Sequence, residues 1–411
     1  MAQLEGVRVV DLTTYIAAPS AGRALAGMGA EVIKVEPPRG DGFKPFSMSC
    51  NYPAYLDEDY YTGYDVMNFL KKGLCLNLKD PEALKAFKKL LSTADVFLTN
   101  TRVQALKKMG LDYETLHKEF PRLIHASILG YGEKGPLKDK PGFDYTAYFS
   151  RGGVAYSVME KGTSPAVPVS GFGDNYAGLA LTAGILAALY NQQKTGEGER
   201  VTVSLYDTAI YGISWMMGAV EYGNELPASR RHTNSAVATT YATKDGRYIQ
   251  LAMLDYTQLP RLAKALEADF LLTDERFNNY DGMLANIEVM VQALEPVFAS
   301  RTLEEWTPRL VEADIPFEVV QTALEVVADE QAWANDYIFK KQQRDGKNLY
   351  YIRTPIFFTE RPSYKEESGR GRAPMMGEDT REILGGLGYT NEQIDAMKAS
   401  GALIEKTPED A

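Results

Sequence analysis

The sequence predicts an α/β protein in which helices cover a parallel β-sheet. Short runs rich in β-branched residues alternate with amphipathic helical patterns through the first half of the chain, which is typical of successive βαβ units. Hydrophobic residues make up 45% of the chain and charged residues 24%, ordinary values for a folded globular protein. At 411 residues the chain exceeds what one core usually sustains, so two domains, or one large domain with an insertion, are expected.

The predicted strands follow one another along the first half of the chain. They cover residues 6–12, 30–36, 73–78, 95–100 and 123–130, and segments such as DPEALKAFKKLLSTA supply the helices between them. In open parallel sheets, ligands bind in the crevice beyond the carboxyl ends of the strands. We therefore expect the chemistry in the loops that follow these strands.

The second half of the chain changes in character. After GFGDNYAG, a long apolar helix leads through KTGEGE into a further strand, RVTVSLYD. The pattern TTYATKDGRYIQLAM predicts a hairpin with Asp-Gly at its turn, and helices follow up to about Val327. We divide the chain into a large domain (residues 1–215), a smaller α+β domain (residues 235–330) and a C-terminal part (residues 331–411) that contains a Pro-bearing linker and two short helices.

Composition and charge disfavour several kinds of partner and compartment. The net charge of -11 argues against nucleic acid and anionic membranes, because the field of the whole molecule repels both. Two cysteines are too few for a disulfide scaffold or a thiolate zinc site. The first apolar run contains charges, unlike a secretory signal, and the longest apolar helical run, residues 178–190, is too short to span a bilayer of about 30 Å. A cytoplasmic protein is expected.

Histidine is too scarce to suggest a metal site. None of His117, His125 and His232 belongs to a HxxxH or HxH pair, and no Cys/His cluster is present, so no metal is expected. We interpret His125, which lies in an apolar strand, as a packed core residue. A serine hydrolase is also disfavoured, because the sequence lacks a G-x-S-x-G motif.

Basic residues are concentrated near the predicted strand ends of this acidic chain. Such a rim suits a polyphosphate ligand such as coenzyme A, although a single lysine is more often a solvated surface charge. The set comprises Arg39, Lys71, Lys72, Arg102, Lys107, Lys108, Lys138 and Lys140. The loop AAPSAGRALAGMGA lacks the G-x-G-x-x-G of dinucleotide folds, but its small residues fit either a phosphate at a helix N-terminus or close helix packing.

Asp174, in GFGDNYAG, has two interpretations. Capping a helix is the commonest role of an aspartate before a helix and contributes about 0.5–2 kcal/mol. However, the small residues on both sides, from Gly171 to Gly178, leave more room around the carboxylate than a cap requires. A helix N-terminus also favours an ionised carboxylate, the form that nucleophilic catalysis by aspartate needs. The residues alone leave both interpretations open.

The sequence strongly resembles the class III coenzyme A transferases, the family of formyl-CoA and carnitine CoA transferases. The resemblance is carried by LEGVRVVDLTTYIAAPSAGRALAGMGAEVIKVEPPRGD, ADVFLTNTRVQALKKMGLDYE, GYGEKGPLKDKPGFDYTAY, the GD of GFGDNYAG, KTGEGERVTVSLYDTAI and APMMGEDTREILGGLGY. Within the family, TRVQALKKMG and VMEKGTSPA make it most similar to the 2-hydroxyacyl-CoA transferases, which act on acids such as 2-hydroxyisocaproate or phenyllactate. The resemblance implies a Rossmann-like large domain made from both chain ends, a small domain between them and an interlocked homodimer.

The resemblance also implies a mechanism and a set of site residues. Asp174 takes the position of the family's catalytic aspartate, which forms a mixed aspartyl anhydride and then an aspartyl-CoA thioester, and Gly173 is a candidate oxyanion donor. The implied substrates are CoA thioesters and small carboxylic acids, with no permanently bound cofactor. The implied CoA contacts are Ile16, Ala17, Arg39 (in place of a family arginine that corresponds to Pro37), Lys71, Lys72, Asn100, Thr101, Arg102, Lys108, Lys140, Phe143 and Asp144.

Three other functions fit the sequence less well. The similar α-methylacyl-CoA racemases use the histidine of a GHD triplet, whereas this sequence has Gly142-Phe143-Asp144 and so lacks the base. A CoA-binding protein without catalysis predicts an inert Asp174, and a nicotinamide dehydrogenase lacks its phosphate loop here. The glycine-rich loop of formyl-CoA transferases has no counterpart around AMLDYTQ, which argues against oxalate as the acceptor.

Overall fold

The structure is a computed structural model, and it describes residues 2–45, 55–57, 60–223, 227–230, 233, 235–342, 346–359 and 372–406. Over these residues the strands are β1 (Arg8–Leu12), β2 (Glu31–Glu36), β3 (Tyr55–Asp57), β4 (Tyr60–Tyr61), β5 (Lys72–Leu76), β6 (Val96–Thr99), β7 (Ile124–Leu129), β8 (Arg200–Ser204), β9 (Thr240–Ala242), β10 (Tyr248–Leu251), β11 (Phe317–Val319), β12 (Ile338–Gln342), β13 (Asn348–Ile352) and β14 (Leu403–Ile404).

The helices of the same residues are α1 (Ala17–Gly27), α2 (Thr62–Asn68), α3 (Pro81–Leu91), α4 (Val103–Met109), α5 (Tyr113–Glu119), α6 (Val154–Ser157), α7 (Phe172–Thr195), α8 (Leu205–Gly212), α9 (Ser214–Gly218), α10 (Leu259–Leu266), α11 (Phe270–Thr273), α12 (Tyr280–Ala285), α13 (Ile287–Phe298), α14 (Leu303–Glu312), α15 (Ala323–Ala328), α16 (Glu330–Ala334), α17 (Thr380–Gly386) and α18 (Asn391–Ala399). A π-helical segment covers Asp144–Arg151, and 3₁₀ turns cover Val220–Tyr222 and Tyr256–Gln258. Among the described residues, no helix has the length and apolar character needed to cross a membrane.

The chain folds into two compact units. The first contains Met1–Val154, Pro168–Gly218 and Glu330–Ala411, and the second contains Ala155–Val167 and Ala219–Asp329. The sequence does not predict the antiparallel hairpin of β12 and β13, which belongs to the first unit. Residues 360–371 of the predicted linker, together with His232 and Cys50, lie outside the described residues.

A seven-stranded sheet forms the centre of the first unit, within the described residues. Its strand order is β14-β5-β2-β1-β6-β7-β8, and all neighbours are parallel except β14 and β5. This confirms the predicted parallel α/β sheet. Because the chain proceeds outward in one direction from β1 and in the other from β6, the sheet has its topological switch point between these two strands. The loops after β1 and β6 therefore border the expected crevice.

Both faces of this sheet are covered by helices. On one face, α3 packs its apolar side over the strands, with Phe87 and Phe97 in edge-to-face contact at 5.9 Å between ring centroids. This helix begins at Pro81 because Asp80 caps it and accepts the N–H groups of Glu82 and Ala83 at 2.9 and 3.1 Å. On the other face, α1 and α7 pack closely against each other.

The second unit has its own sheet and core. Strands β9, β10 and β11 form an antiparallel sheet in the order β11-β10-β9, which confirms the predicted hairpin between β9 and β10. The core contains Tyr241, stacked on Phe298 at 4.7 Å, and the fully buried Trp306.

Candidate active site

Asp174 lies in the first turn of α7, which begins at Phe172. The residue before the helix is Gly171, whose φ of +81° lies in the left-handed region that favours glycine. Asp174 is therefore the third residue of the helix and not its N-cap, so the helix-capping interpretation of Asp174 is wrong. Its side chain is turned inward, with only 9% of the residue exposed.

The carboxylate that caps α7 belongs to Asp144. Asp144 Oδ2 accepts the N–H of Gly171 at 2.8 Å, from a position 27 residues earlier in the chain. Asp144 is 5% exposed and is the first residue of the π-helical segment. Its second oxygen, Oδ1, is buried and has no hydrogen-bond partner among the described residues. Two buried carboxylates, one inside the helix and one ahead of it, are thus brought together.

The glycines around Asp174 allow the close packing of this region. A Cβ atom on Gly173 would lie 2.3 Å from Cγ of Tyr148 and 2.4 Å from Oδ1 of Asp144. A Cβ atom on Gly178 would lie 1.8 Å from Oγ of Ser20 in α1. Both sets of distances are shorter than any real contact, so the absence of side chains is a packing requirement of the helix. Gly173 is predicted as an oxyanion donor. In the structure its N–H stabilises the ionised form of Asp144.

The two carboxylates differ in their affinity for protons. Burial raises the pKa of Asp174 to about 8, and the negative charge of Asp144 adds to this increase. Burial raises the pKa of Asp144 to about 6, an increase that the N–H groups of Gly171, Gly173 and Asp174 oppose. Desolvation outweighs the attraction of the helix N-terminus for a negative charge, so the pKa of Asp174 is raised and not lowered. Asp174 therefore holds its proton more tightly than Asp144 does.

The loop between β1 and α1 is held in an uncommon conformation. Tyr15 has a φ of +65°, which is rare for an aromatic residue. Its N–H is accepted by Asp41 Oδ1 at 3.0 Å. The side-chain amide of Asn100, after β6, accepts the N–H of Thr14 at 3.0 Å and donates to its carbonyl at 2.7 Å. Two side chains from other loops thus fix this turn.

This fixed loop places Ile16 and Ala17 against the start of α7. Ile16 Cδ1 lies 3.1 Å from the position of a Cβ on Gly171, and the carbonyl oxygen of Ala17 lies 2.8 Å from that of a Cβ on Gly178. The structure therefore brings Ile16 and Ala17, two predicted site residues, next to the helix that carries Asp174.

A buried ionic network lies beneath the same loop. Lys71 Nζ is 2.7 Å from Asp11 Oδ2, and Lys34 Nζ is 2.8 Å from Asp41 Oδ2, with none of these four side chains exposed. Lys34 also donates to the carbonyl of Thr13 at 2.7 Å. The prediction that Lys71 belongs to a basic rim at the crevice is wrong, because its ammonium is enclosed and already paired.

Lys72 is also in a different place from the one predicted. Its ammonium lies 2.7 Å from Glu31, the first residue of β2, and 2.7 Å from Glu382. Because Glu31 begins its strand, Lys72 lies at the amino ends of the strands and not at their carboxyl ends. Six other basic residues of the predicted rim are exposed on loops or helix ends: Arg39, Arg102, Lys107, Lys108, Lys138 and Lys140.

The remaining predicted residues lie in loops near the site or in the core. Thr101 and Arg102 lie in the loop after β6, two and three residues beyond its end at Thr99. Phe143 is 51% exposed and contacts Tyr15 edge-on at 5.5 Å, and Lys140 lies 5.9 Å from the ring of Tyr131. His125 is 4% exposed and packs edge-on against Phe97, which confirms its interpretation as a core residue. In the part of the chain that the structure describes, no cluster of His, Cys, Asp or Glu has the arrangement of a metal site.

Sequence reasoning misses Asp41, Lys34 and Tyr148 as residues that shape the site. A signal exists for Lys34, a charged residue within the apolar run VIKVE that must find a partner if the strand is buried. No comparable signal marks Tyr148 or Asp41, because the local sequence does not show that Tyr148 packs on Gly173 or that Asp41 pairs with Lys34 and Tyr15.

Comparisons with known proteins agree with this architecture. Residues 4–380 match the family model described as CoA-transferase family III. The chain is 50% identical to the (R)-2-hydroxy-4-methylpentanoate CoA-transferase of Clostridioides difficile, over 97% of this chain and 98% of that protein. It is 41% identical to the cinnamoyl-CoA:phenyllactate CoA-transferase of Clostridium sporogenes, over 96% and 95% of the two chains. The crystal structure of a CAIB/BAIF family protein from Brucella suis matches with a TM-score of 0.82 at 27% identity, covering 94% of this chain and 99% of that one.

Proposed function

The chain belongs to CoA-transferase family III, and on this premise we propose that it transfers CoA from an acyl-CoA to a 2-hydroxy carboxylic acid, with Asp174 as the nucleophile. The family makes the protein a CoA-transferase. The observation that carries the assignment of Asp174 is its desolvated carboxylate in the first turn of α7, next to the loop at the switch point of the sheet. A desolvated carboxylate that ionises is a stronger nucleophile than a hydrated one.

The class of acceptor is inferred from the relatives and supported by the surface near Asp174. The printed names of two relatives specify 2-hydroxy-4-methylpentanoate and phenyllactate, 2-hydroxy acids with a branched or an aromatic side chain. In this chain Phe143 directly precedes Asp144, and Phe172 lies two residues before Asp174. These two rings are 51% and 59% exposed. Exposed aromatic rings at these positions offer apolar contact to such a side chain. The donor is an enoyl-CoA or a 2-hydroxyacyl-CoA.

The first half of the proposed reaction releases the donor acid. A carboxylate oxygen of Asp174 attacks the thioester carbonyl carbon, the C–S bond breaks, and CoA leaves as a thiolate while an aspartyl–acyl anhydride forms. The thiolate then attacks the Asp174 carbonyl carbon. The anhydride C–O bond breaks, the donor acid leaves as a carboxylate, and Asp174 becomes an aspartyl-CoA thioester.

The second half runs through the same intermediates with the acceptor. The carboxylate of the 2-hydroxy acid attacks the aspartyl-CoA carbonyl carbon and displaces the thiolate, giving a new mixed anhydride. The thiolate attacks the acyl carbon of the acceptor, which yields the new acyl-CoA and regenerates the Asp174 carboxylate. No water is consumed, so burial of Asp174 preserves the acyl-transfer energy at each step.

Contacts with CoA are proposed for predicted site residues in the loops that follow the strands or in the next helix. These are Ile16, Ala17, Arg39, Asn100, Thr101, Arg102, Lys108, Lys140 and Phe143. Lys71 and Lys72 are left out because both form ion pairs within the protein. Racemisation is disfavoured because Phe143 stands where a base is required and has no ionisable atom.

The proposal is tested by a transfer assay with a panel of acids and acyl-CoA donors. We expect Asp174→Asn to abolish transfer to 2-hydroxy acids with branched or aromatic side chains. Asp207→Asn is the matched control, because Asp207 is also the third residue of a helix, α8, but is exposed. Full transfer by Asp174→Asn, or transfer by the wild type only to acids without a 2-hydroxyl group, would contradict the proposal.

A further inference from the structure

We propose that Asp144 is a positioning residue for Asp174. Asp144 fixes the start of α7, and its buried negative charge governs the pH range in which Asp174 attacks the thioester. The inference rests on the proposed function of Asp174. It assigns Asp144 a role different from the CoA contact that family resemblance implies.

The positional part of the role follows from one hydrogen bond and its surroundings. Asp144 Oδ2 holds the N–H of Gly171 at 2.8 Å, and Gly171 is in the left-handed conformation that immediately precedes the helix. Ile16 Cδ1 lies 3.1 Å from the position of a Cβ on Gly171. The first residue outside α7 is thus in contact with both Asp144 and Ile16, and its position sets where the third helical residue, Asp174, is directed.

Close packing keeps the Asp144 carboxylate next to the start of α7. Its Oδ1 atom would be 2.4 Å from a Cβ on Gly173, and the ring of Tyr148 fills the space beside it. Asp144 and Tyr148 lie one turn apart on the π-helical segment, and Tyr148 is 4% exposed. The carboxylate therefore lies against Gly173, the residue before Asp174, and is buried from water.

Few other charges reach this pair. Among the described residues, Tyr148 of the π-helical segment interacts with Asp144, and Tyr176 of α7 packs edge-on against Tyr148 at 6.3 Å. The first turns of α1 contribute only uncharged residues up to Arg23. The first turn of α8 carries two ionisable residues, Tyr206, which lies 5.7 Å from the Arg151 guanidinium, and the exposed Asp207. Among the described residues, no lysine, arginine or histidine contributes to the pKa of either carboxyl. Apart from burial, Asp144 is the cause of the raised pKa of Asp174.

The charge of Asp144 has a consequence for the reaction. Attack on the thioester converts the Asp174 carboxylate into a neutral anhydride, and the negative charge leaves on the CoA thiolate. Repulsion between the two carboxylates is present before this step and absent after it. Asp144 therefore makes the ionised form of Asp174 scarcer at neutral pH but more reactive.

Asp144→Asn separates the two parts of the role, because the amide oxygen still accepts the Gly171 N–H while the charge is removed. The measurement is the rate of donor-acid release in a single turnover without acceptor acid, followed by rapid quenching across pH 5–10. We expect the midpoint of the pH profile to move down by about one unit, with a lower plateau. Asp144→Glu, which keeps the charge, should retain the wild-type midpoint, and Asp139→Asn on the preceding exposed loop should change neither quantity.

Two outcomes overturn the inference. One is an unchanged midpoint in Asp144→Asn with a wild-type melting temperature. The other is an equal shift in Asp139→Asn. If Asp144→Asn does not fold, Asp144→Ser supplies a second neutral variant that can accept the same N–H. Loss of donor-acid release in Asp174→Asn together with an unchanged midpoint in the neutral Asp144 variants rejects this inference alone, whereas donor-acid release by Asp174→Asn rejects the proposed function.

Discussion

Lys34 and Asp41 form an ion pair at 2.8 Å in which neither side chain is exposed to solvent. Asp41 also accepts the N–H of Tyr15, and Lys34 donates to the carbonyl of Thr13, so the pair supports the loop that faces α7. Buried charges are costly to desolvate and are stable only when every partner is present. The loop and its ionic support therefore act as one unit.

Breaking this pair should be strongly destabilising. We expect Lys34→Met to lower the free energy of unfolding by about 3–5 kcal/mol, because it leaves Asp41 charged, buried and without its cation. Denaturant unfolding measures the change. Lys85→Met is the control, since Lys85 forms an exposed pair with Glu82 at 3.6 Å and should cost less than about 1 kcal/mol. Equal effects of the two substitutions would contradict the role given to the buried network.

Gly173 should not tolerate a methyl group. In Gly173→Ala the new Cβ meets Tyr148 and Asp144 at distances that force one of them to move. We expect a loss of about 1–3 kcal/mol in stability and a large loss of transfer activity. Gly385→Ala, in α17 where nothing lies within 4 Å of the added atom, should instead be neutral or stabilising by up to about 1 kcal/mol. Wild-type activity and stability in Gly173→Ala would show that the site is loosely packed.

Asp174 should reduce the stability of the folded protein as pH rises. Its pKa is about 8 in the folded protein, against an ordinary value of 3.8, so ionisation is harder when the chain is folded. The cost is absent below about pH 4, grows between about pH 4 and 8, and is constant above, at about 1.4 kcal/mol for each unit of difference in pKa. We therefore expect Asp174→Asn to melt at a higher temperature than the wild type at pH 9, with little difference at pH 4. The same difference at both pH values, or a similar gain in Asp207→Asn, would contradict this assignment.

Binding of the CoA moiety should depend on Arg102 and not on Lys72. Arg102 follows β6 at the switch point of the sheet and is exposed, whereas Lys72 is ion-paired at the opposite ends of the strands. We expect Arg102→Ala to raise KM for the acyl-CoA about tenfold with little change in kcat, the loss of one charge-assisted hydrogen bond. Lys72→Ala should leave both constants unchanged. A larger effect from Lys72→Ala would place the phosphates at the amino ends of the strands.

The parallel sheet could be predicted because its strands and helices follow local patterns in the sequence, such as GVRVVDL and AEVIKVE. Asp174 could be singled out for a related reason, since its small neighbours are next to it in the chain. Local sequence could not reveal that Asp144 caps α7 from 27 residues away, or that Lys71 is paired with Asp11 across 60 residues. A strand-end lysine resembles a surface charge until the fold supplies an acidic partner, and for this reason the prediction of a basic rim fails at Lys71 and Lys72.

The central claim is that Asp174 becomes covalently acylated, and chemical trapping tests it most directly. The protein is incubated with an acyl-CoA donor without acceptor acid, treated with hydroxylamine or borohydride, digested and analysed by mass spectrometry. We expect the residue at position 174 to carry the hydroxamate or to be reduced to the alcohol, with Asp144 and Asp207 unmodified. Transfer that proceeds while Asp174 remains unmodified would contradict the account.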